Sequence, residues 1–105
     1  MLPEHGKLVR DLIPDIIRRD GGVPVVVVLD DDGDYWTALL AKMHEEIDEV
    51  DGATQAQQLA ELADVFEVLK TLTEVAGFTL GEVKQYADSK RTERGGFANR
   101  LWLIT

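Results

Sequence analysis

The chain has no cysteine, which excludes a disulfide scaffold, a thiolate metal site and a cysteine nucleophile, and fits a reducing compartment. Basic residues are scarce as well: 11 Lys and Arg face 20 Asp and Glu, a formal net charge of -9. Nucleic acids and anionic membranes are held by a positive field that so acidic a chain lacks, so neither is an expected partner. Long apolar runs are also missing. The longest, Val23 to Leu29, is interrupted by Pro24 and is far too short to span a bilayer. Met1 to His5 shows no basic flank followed by an apolar segment, so no secretory signal is read and a cytoplasmic protein is expected. What remains is ordinary globular composition, 45% hydrophobic and 30% charged, over 105 residues. That predicts one domain over residues 1–105, with a modest core that self-association would help.

Periodicity and turn chemistry predict four helices. Leu8 to Asp20 holds a short one, with Asp11 as its expected cap, Pro14 in its first turn and Gly21-Gly22 as its stop. The β-branched stretch from Pro24 to Leu29 reads as a strand. Asp30 to Asp34 is a turn and helix start; aligned as a calcium loop on Gly33, it would put Val28 and Leu39 at the first and last ligand positions, so that reading fails. A second helix is expected from about Tyr35 to Asp51, with Trp36, Leu40, Met43, Ile47 and Val50 as its apolar stripe. Thr54 with Gln57 boxes the start of a third helix and Gly77 ends it; Thr79 with Glu82 opens a fourth that ends at Gly95-Gly96. The third helix is apolar over more than half its circumference, which predicts burial on more than one side. Leu101 to Ile104 reads as a closing strand, with 24–29 as its mate.

The acid excess is concentrated between Asp30 and Glu67, where Lys42 is the single Lys or Arg. A run of acids is commonly a solvated face. Here the spacing argues otherwise. Glu46 and Glu49 are three apart, as are Glu61 and Asp64, so each pair projects from one helical face. Glu46 borders the apolar stripe of its helix, and Glu61 falls angularly between Val68 and Leu72, inside the apolar sector of the third. A short loop at Gly52-Ala53 would fold the two helices into an antiparallel hairpin with the pairs at similar heights. Carboxylates converging there repel one another unless a cation compensates them. Oxygen ligands alone select Mg²⁺, Mn²⁺ or Ca²⁺ over zinc.

Glu45-Glu46-Ile47-Asp48-Glu49, then eleven residues, then Glu61-Leu62-Ala63-Asp64 resembles the EExxE…ExxD signature of the MazG-like all-α nucleoside triphosphate pyrophosphohydrolases. Lys7 to Pro14 is similar to the opening of a compact house-cleaning branch of that superfamily. Lys90 to Phe97 is similar to its closing segment and to that of phosphoribosyl-ATP pyrophosphohydrolases. The resemblance implies a mostly α helical bundle, to which the residues themselves add a small two-stranded β element at about 24–29 and 100–104. It also implies a homodimer or dimer of dimers that uses Mg²⁺, with Mn²⁺ as a substitute. The implied reaction splits a nucleoside triphosphate into monophosphate and pyrophosphate, clearing non-standard or surplus nucleotides.

By the same resemblance Glu46, Glu49, Glu61 and Asp64 are metal ligands, Glu45 and Glu49 the candidate catalytic carboxylates, and Lys7, Arg10, Lys90 and Arg94 the residues that neutralise the phosphates. His5 and His44, each without a second nitrogen or sulfur ligand nearby in sequence, are read as ordinary side chains. Two alternatives stand beside this reading: phosphoribosyl-ATP hydrolysis in histidine synthesis, and a non-catalytic helical dimerisation module. The Lys7 to Pro14 opening favours the house-cleaning branch over the first, and the second leaves Glu61 unexplained.

Overall fold

A computed structural model describes Leu2 and residues 5–104. They form four helices: α1 (Ile13–Arg19), α2 (Asp32–Gly52), α3 (Gln55–Val75) and α4 (Leu80–Arg94). None of them is long and apolar enough to cross a membrane.

Local chemistry accounts for the helix ends. Asp31 caps α2, its carboxylate accepting from the Asp34 N–H at 2.9 Å, so the helix begins three residues earlier than periodicity suggests. The Gln57 side chain accepts from the Thr54 N–H at the start of α3. Thr79 and Glu82 exchange hydrogen bonds of 3.1 Å at the start of α4. Gly77, at φ 90°, makes the left-handed turn between α3 and α4 that a side chain would disfavour. α1 departs from expectation. Its N-cap is Leu12, with no side-chain cap, and Asp11 lies one residue too early to serve.

The two-residue link Ala53-Thr54 leaves α2 and α3 no option but to double back. They pack antiparallel along most of their length, so that Leu39 and Val68 meet near one end and Val50 and Gln58 near the other. α4 packs on α3 alone, and α1 lies across a cleft from the hairpin. The core is small: Ala38, Leu39 and Val68 are the buried apolar side chains among the described residues. The expectation that α3 is enclosed on several sides is not met within one chain, since Leu59, Leu62, Phe66 and Leu69 stay exposed. On α2 the expected stripe divides. Met43 and Val50 are half-buried, whereas Trp36, Leu40 and Ile47 face outward.

The strand pairing of 24–29 with 100–104 is not formed. Both segments are unpaired among the described residues, with Val25 94% and Leu101 88% exposed. β-branched composition favours an extended backbone, but a strand exists only where a partner takes up its hydrogen bonds, and neither segment has such a partner among the described residues. The molecule is correspondingly open. Its Cα radius of gyration is 17.3 Å, against about 13 Å for a compact domain of this length. Its surface is 9212 Å², where mass scaling gives roughly 5900 Å² for a folded monomer.

The capping geometry yields a stability test within the run of aspartates. Asp31→Ala should cost about 1 kcal/mol in urea unfolding, while Asp30→Ala, which removes no cap, should leave the midpoint unchanged. Equal effects of the two substitutions would show that Asp31 is not the cap.

Candidate metal centre

Glu46 stands six positions before the end of α2, and Glu61 six positions after the start of α3. At 1.5 Å per residue both lie about 9 Å from the turn, so an antiparallel hairpin sets them side by side. Asp64 follows one turn further along α3. Glu46, Glu61 and Asp64 each offer a carboxylate oxygen, and these oxygens lie within 4.8 Å of one another. Burial is greatest at Glu46, which is 5% exposed. Oε2 of Glu46 and Oε2 of Glu61 are both buried with no hydrogen-bond partner. An unsatisfied buried polar atom costs roughly 1–3 kcal/mol, and more when charged. Two residues with such atoms, grouped with a third carboxylate, form a set of acceptors that could hold a cation.

The surrounding bases offset part of this charge. Arg10 reaches Asp64 at 2.7 Å, Lys42 reaches Glu46 at 3.1 Å and Glu45 at 3.4 Å, and Lys7 stands 3.9 Å from Glu45. Four carboxylates thus meet three cations, and Glu61 has no ion-pair partner among the described residues. These pairs are unequal in weight. Arg10 and Asp64 are both more than a third exposed, so their pair contributes about 0–1 kcal/mol. Lys42 and Glu46 are 17% and 7% exposed in their side chains, and removing one member of a buried pair costs about 3–5 kcal/mol. Burial works against the Lys42 charge, but the hydrogen bond to Glu46 and the proximity of the Glu45 and Glu46 carboxylates outweigh it and raise its pKa above the usual lysine value. A raised folded-state value means that this contribution is fully present below the ordinary lysine pKa and is lost only at pH above it. Lys42 therefore keeps its charge throughout the neutral range.

The structure gathers some of the residues expected from sequence and leaves others apart. Glu46, Glu61 and Asp64 converge, with Glu45, Lys7 and Arg10 around them. Glu49 is exposed and lies outside the group of three, about 60° around α2 from Glu46. Lys90 and Arg94 are exposed on α4 and make no ion pair with these carboxylates; the Lys90 ammonium sits 5.5 Å over the Tyr86 ring. Sequence reasoning passed over Lys42. Its spacing of three and four from Glu45 and Glu46, and its isolation as the one base in the acidic stretch, were the available signals.

A cleft of about 590 Å³ opens beside the centre. Leu8 to Ile13 and Ile16 line one wall; Tyr35, Leu39, Lys42 and Glu46 of α2 with Asp64, Glu67, Val68 and Thr71 of α3 line the other. It is apolar at its α1 end and charged at the carboxylates. With no nitrogen or sulfur donor in the set, the group suits a hard divalent ion such as Mg²⁺, Mn²⁺ or Ca²⁺.

No family model matches the chain, and no solved structure matches it. A protein of Mycolicibacterium smegmatis (strain ATCC 700084 / mc(2)155), named only as an uncharacterized protein, is 54% identical to this chain over 43 residues. That stretch spans 41% of this chain and 43% of the other protein, less than half of each.

Proposed function

We propose that this chain is a metal-dependent nucleoside triphosphate pyrophosphohydrolase that works as a homodimer and clears non-standard or surplus nucleotides. The observation that carries the reading is the buried, unpartnered Oε2 of Glu46, held close to the carboxylates of Glu61 and Asp64. A divalent ion bound there would supply Lewis acidity toward phosphate oxygens and make a bound water more acidic. Glu46, Glu61 and Asp64 would hold that ion, Mg²⁺ first and Mn²⁺ as substitute, with Glu49 one turn along the same helix as the further candidate ligand.

In the hydrolysis, a water oxygen attacks the α-phosphorus as the bond to the oxygen bridging to the β-phosphorus breaks, and monophosphate and pyrophosphate leave. Glu45, half-buried beside the centre, is the better placed of the two candidate bases to take the proton of that water. Lys7 and Arg10, already at ion-pairing distance from Glu45 and Asp64, offset the charge of the phosphate chain. The neighbouring cleft has room for the nucleoside.

The dimer is supported by what one chain leaves uncovered. Trp36, Leu40 and Ile47 on α2 and Leu62, Phe66 and Leu69 on α3 are exposed on one side of the hairpin, and Ile47 and Leu62 line a common hollow there. The surface in excess of a compact monomer is more than one partner's share of a tight subunit interface, so self-association would remove only part of it. A second copy would also supply Lys90 and Arg94 to the centre and give segments 24–29 and 100–104 strands to pair with.

Several measurements test this. Pyrophosphate release over a panel of standard, oxidised, deaminated and deoxy triphosphates plus phosphoribosyl-ATP should show divalent-dependent turnover of at least one nucleoside triphosphate; none across the panel would sink the hydrolase reading. Glu61→Gln should abolish turnover while leaving metal-free thermal stability unchanged or higher, because one of several repelling carboxylates is removed. Near-wild-type activity in that variant would refute the metal assignment. Lys90→Ala or Arg94→Ala should lower kcat/KM tenfold or more, about 1.4 kcal/mol, with metal affinity unchanged; a stability loss with normal turnover would leave them a surface role. Sedimentation at micromolar concentration should give a dimer, and a stable monomer would contradict the assembly.

A further inference from the structure

Lys42 belongs to none of the roles assigned above, yet it is the most deeply placed cation at the centre. Its side chain is 17% exposed, and its ammonium lies 3.1 Å from Glu46 Oε1 and 3.4 Å from Glu45 Oε1. Helix stability does not explain this placement. A lysine four residues before a glutamate is the weaker order for an intrahelical pair, and burial of the ammonium costs solvation. The division of labour within Glu46 is more informative. Lys42 takes Oε1, while Oε2 is left buried and without a partner, in the residue that lies against Glu61 and Asp64. One carboxylate is thus tied to a permanent cation on one oxygen and open to a further ligand on the other.

We propose that Lys42 is the resident counter-cation of the metal centre: it fixes the Glu46 carboxylate for binding and, by its own positive charge, weakens the hold of the centre on a divalent ion. The proposal rests on the hydrolase reading only through the metal site. Its physical basis is repulsion. An ammonium hydrogen-bonded to a ligand carboxylate stands within a few ångströms of any ion that the other oxygen takes, and at so short a range inside a partly desolvated cleft the repulsion is weakly screened. The ion is therefore held loosely by the free protein and more tightly when an anionic ligand is present to balance the charge. A phosphate chain is such an anion.

The test is Mn²⁺ titration of the metal-free full-length chain, followed by calorimetry or by the spin resonance of free Mn²⁺, for wild type, Lys42→Met, Lys42→Gln and Lys42→Arg. Methionine retains most of the apolar stem and removes the charge; glutamine removes the charge but keeps a donor; arginine keeps the charge. Lys42→Met and Lys42→Gln should bind Mn²⁺ roughly tenfold more tightly than wild type, and Lys42→Arg should stay near wild type. Metal-free Lys42→Met should melt below wild type and gain more from saturating Mn²⁺, as linkage requires of a tighter site. Having two neutral variants keeps the test decisive if one fails to fold. Folded neutral variants that bind Mn²⁺ with wild-type affinity or more weakly would overturn the proposal and leave Lys42 a support for Glu46 alone. A wild-type chain that binds no Mn²⁺ would overturn both this proposal and the metal-dependent hydrolase, whereas tighter Mn²⁺ binding by the neutral variants without any pyrophosphate release would uphold the proposal and remove only the hydrolase.

Discussion

The carboxylate of Glu46, buried between two helices with one oxygen tied and the other open, is the constraint around which the rest of this structure is arranged. A charge in that position is tolerated only if a cation stands close by, and Lys42 of the same helix does, while Lys7 and Arg10 from the segment before α1 pair with the neighbouring Glu45 and Asp64. The electrostatics therefore tie the N-terminal segment to the hairpin, although α1 itself packs against no other helix. With Glu61 left without an ion-pair partner among the described residues, the balance there stays one positive charge short. That deficit is what supports the proposed divalent ion.

The hairpin has two working faces. Tyr35, Leu39, Lys42 and Glu46 lie within about 60° of one another on α2 and look into the cleft. Trp36, Leu40 and Ile47 centre about 110° away and look outward. α3 repeats the arrangement, with Glu61, Asp64 and Val68 toward the cleft side and Leu62, Phe66 and Leu69 outward. One face concentrates charge and the other exposes apolar surface, so a single pair of helices carries both the carboxylate group and the surface that the proposed second copy would cover. The proposed dimer and the proposed site are thereby coupled. Any shift of α2 against α3 on the apolar side moves the carboxylates on the other.

Much of this was legible in the chain. The capping pairs Thr54/Gln57 and Thr79/Glu82 mark helix starts because the side chains that satisfy free backbone groups are local in sequence. The short Gly52 to Thr54 connection sets antiparallel packing, and equal distances from that turn align Glu46 with Glu61. The i, i+3 spacing of Glu61 and Asp64 likewise needs no tertiary information, because helical geometry alone puts them on one face. Less legible was the ranking of the acids. Glu61 looks the more buried from its apolar neighbours, whereas Glu46 is the more enclosed, because enclosure depends on neighbours outside its own helix as well as on its place in the apolar stripe.

What the sequence by itself determined is therefore local: four helices, their caps, the hairpin and the alignment of the acid pairs, all set by interactions between residues a few positions apart. Tertiary structure alone decided which of five acids converge, that Arg10 reaches Asp64 across 54 positions of chain, and that 24–29 and 100–104 do not pair among the described residues. Each of these depends on how far apart segments remote in sequence come to lie, and burial and Coulomb attraction act on that distance. A periodic pattern records which side of a helix is apolar. It does not record what lies opposite.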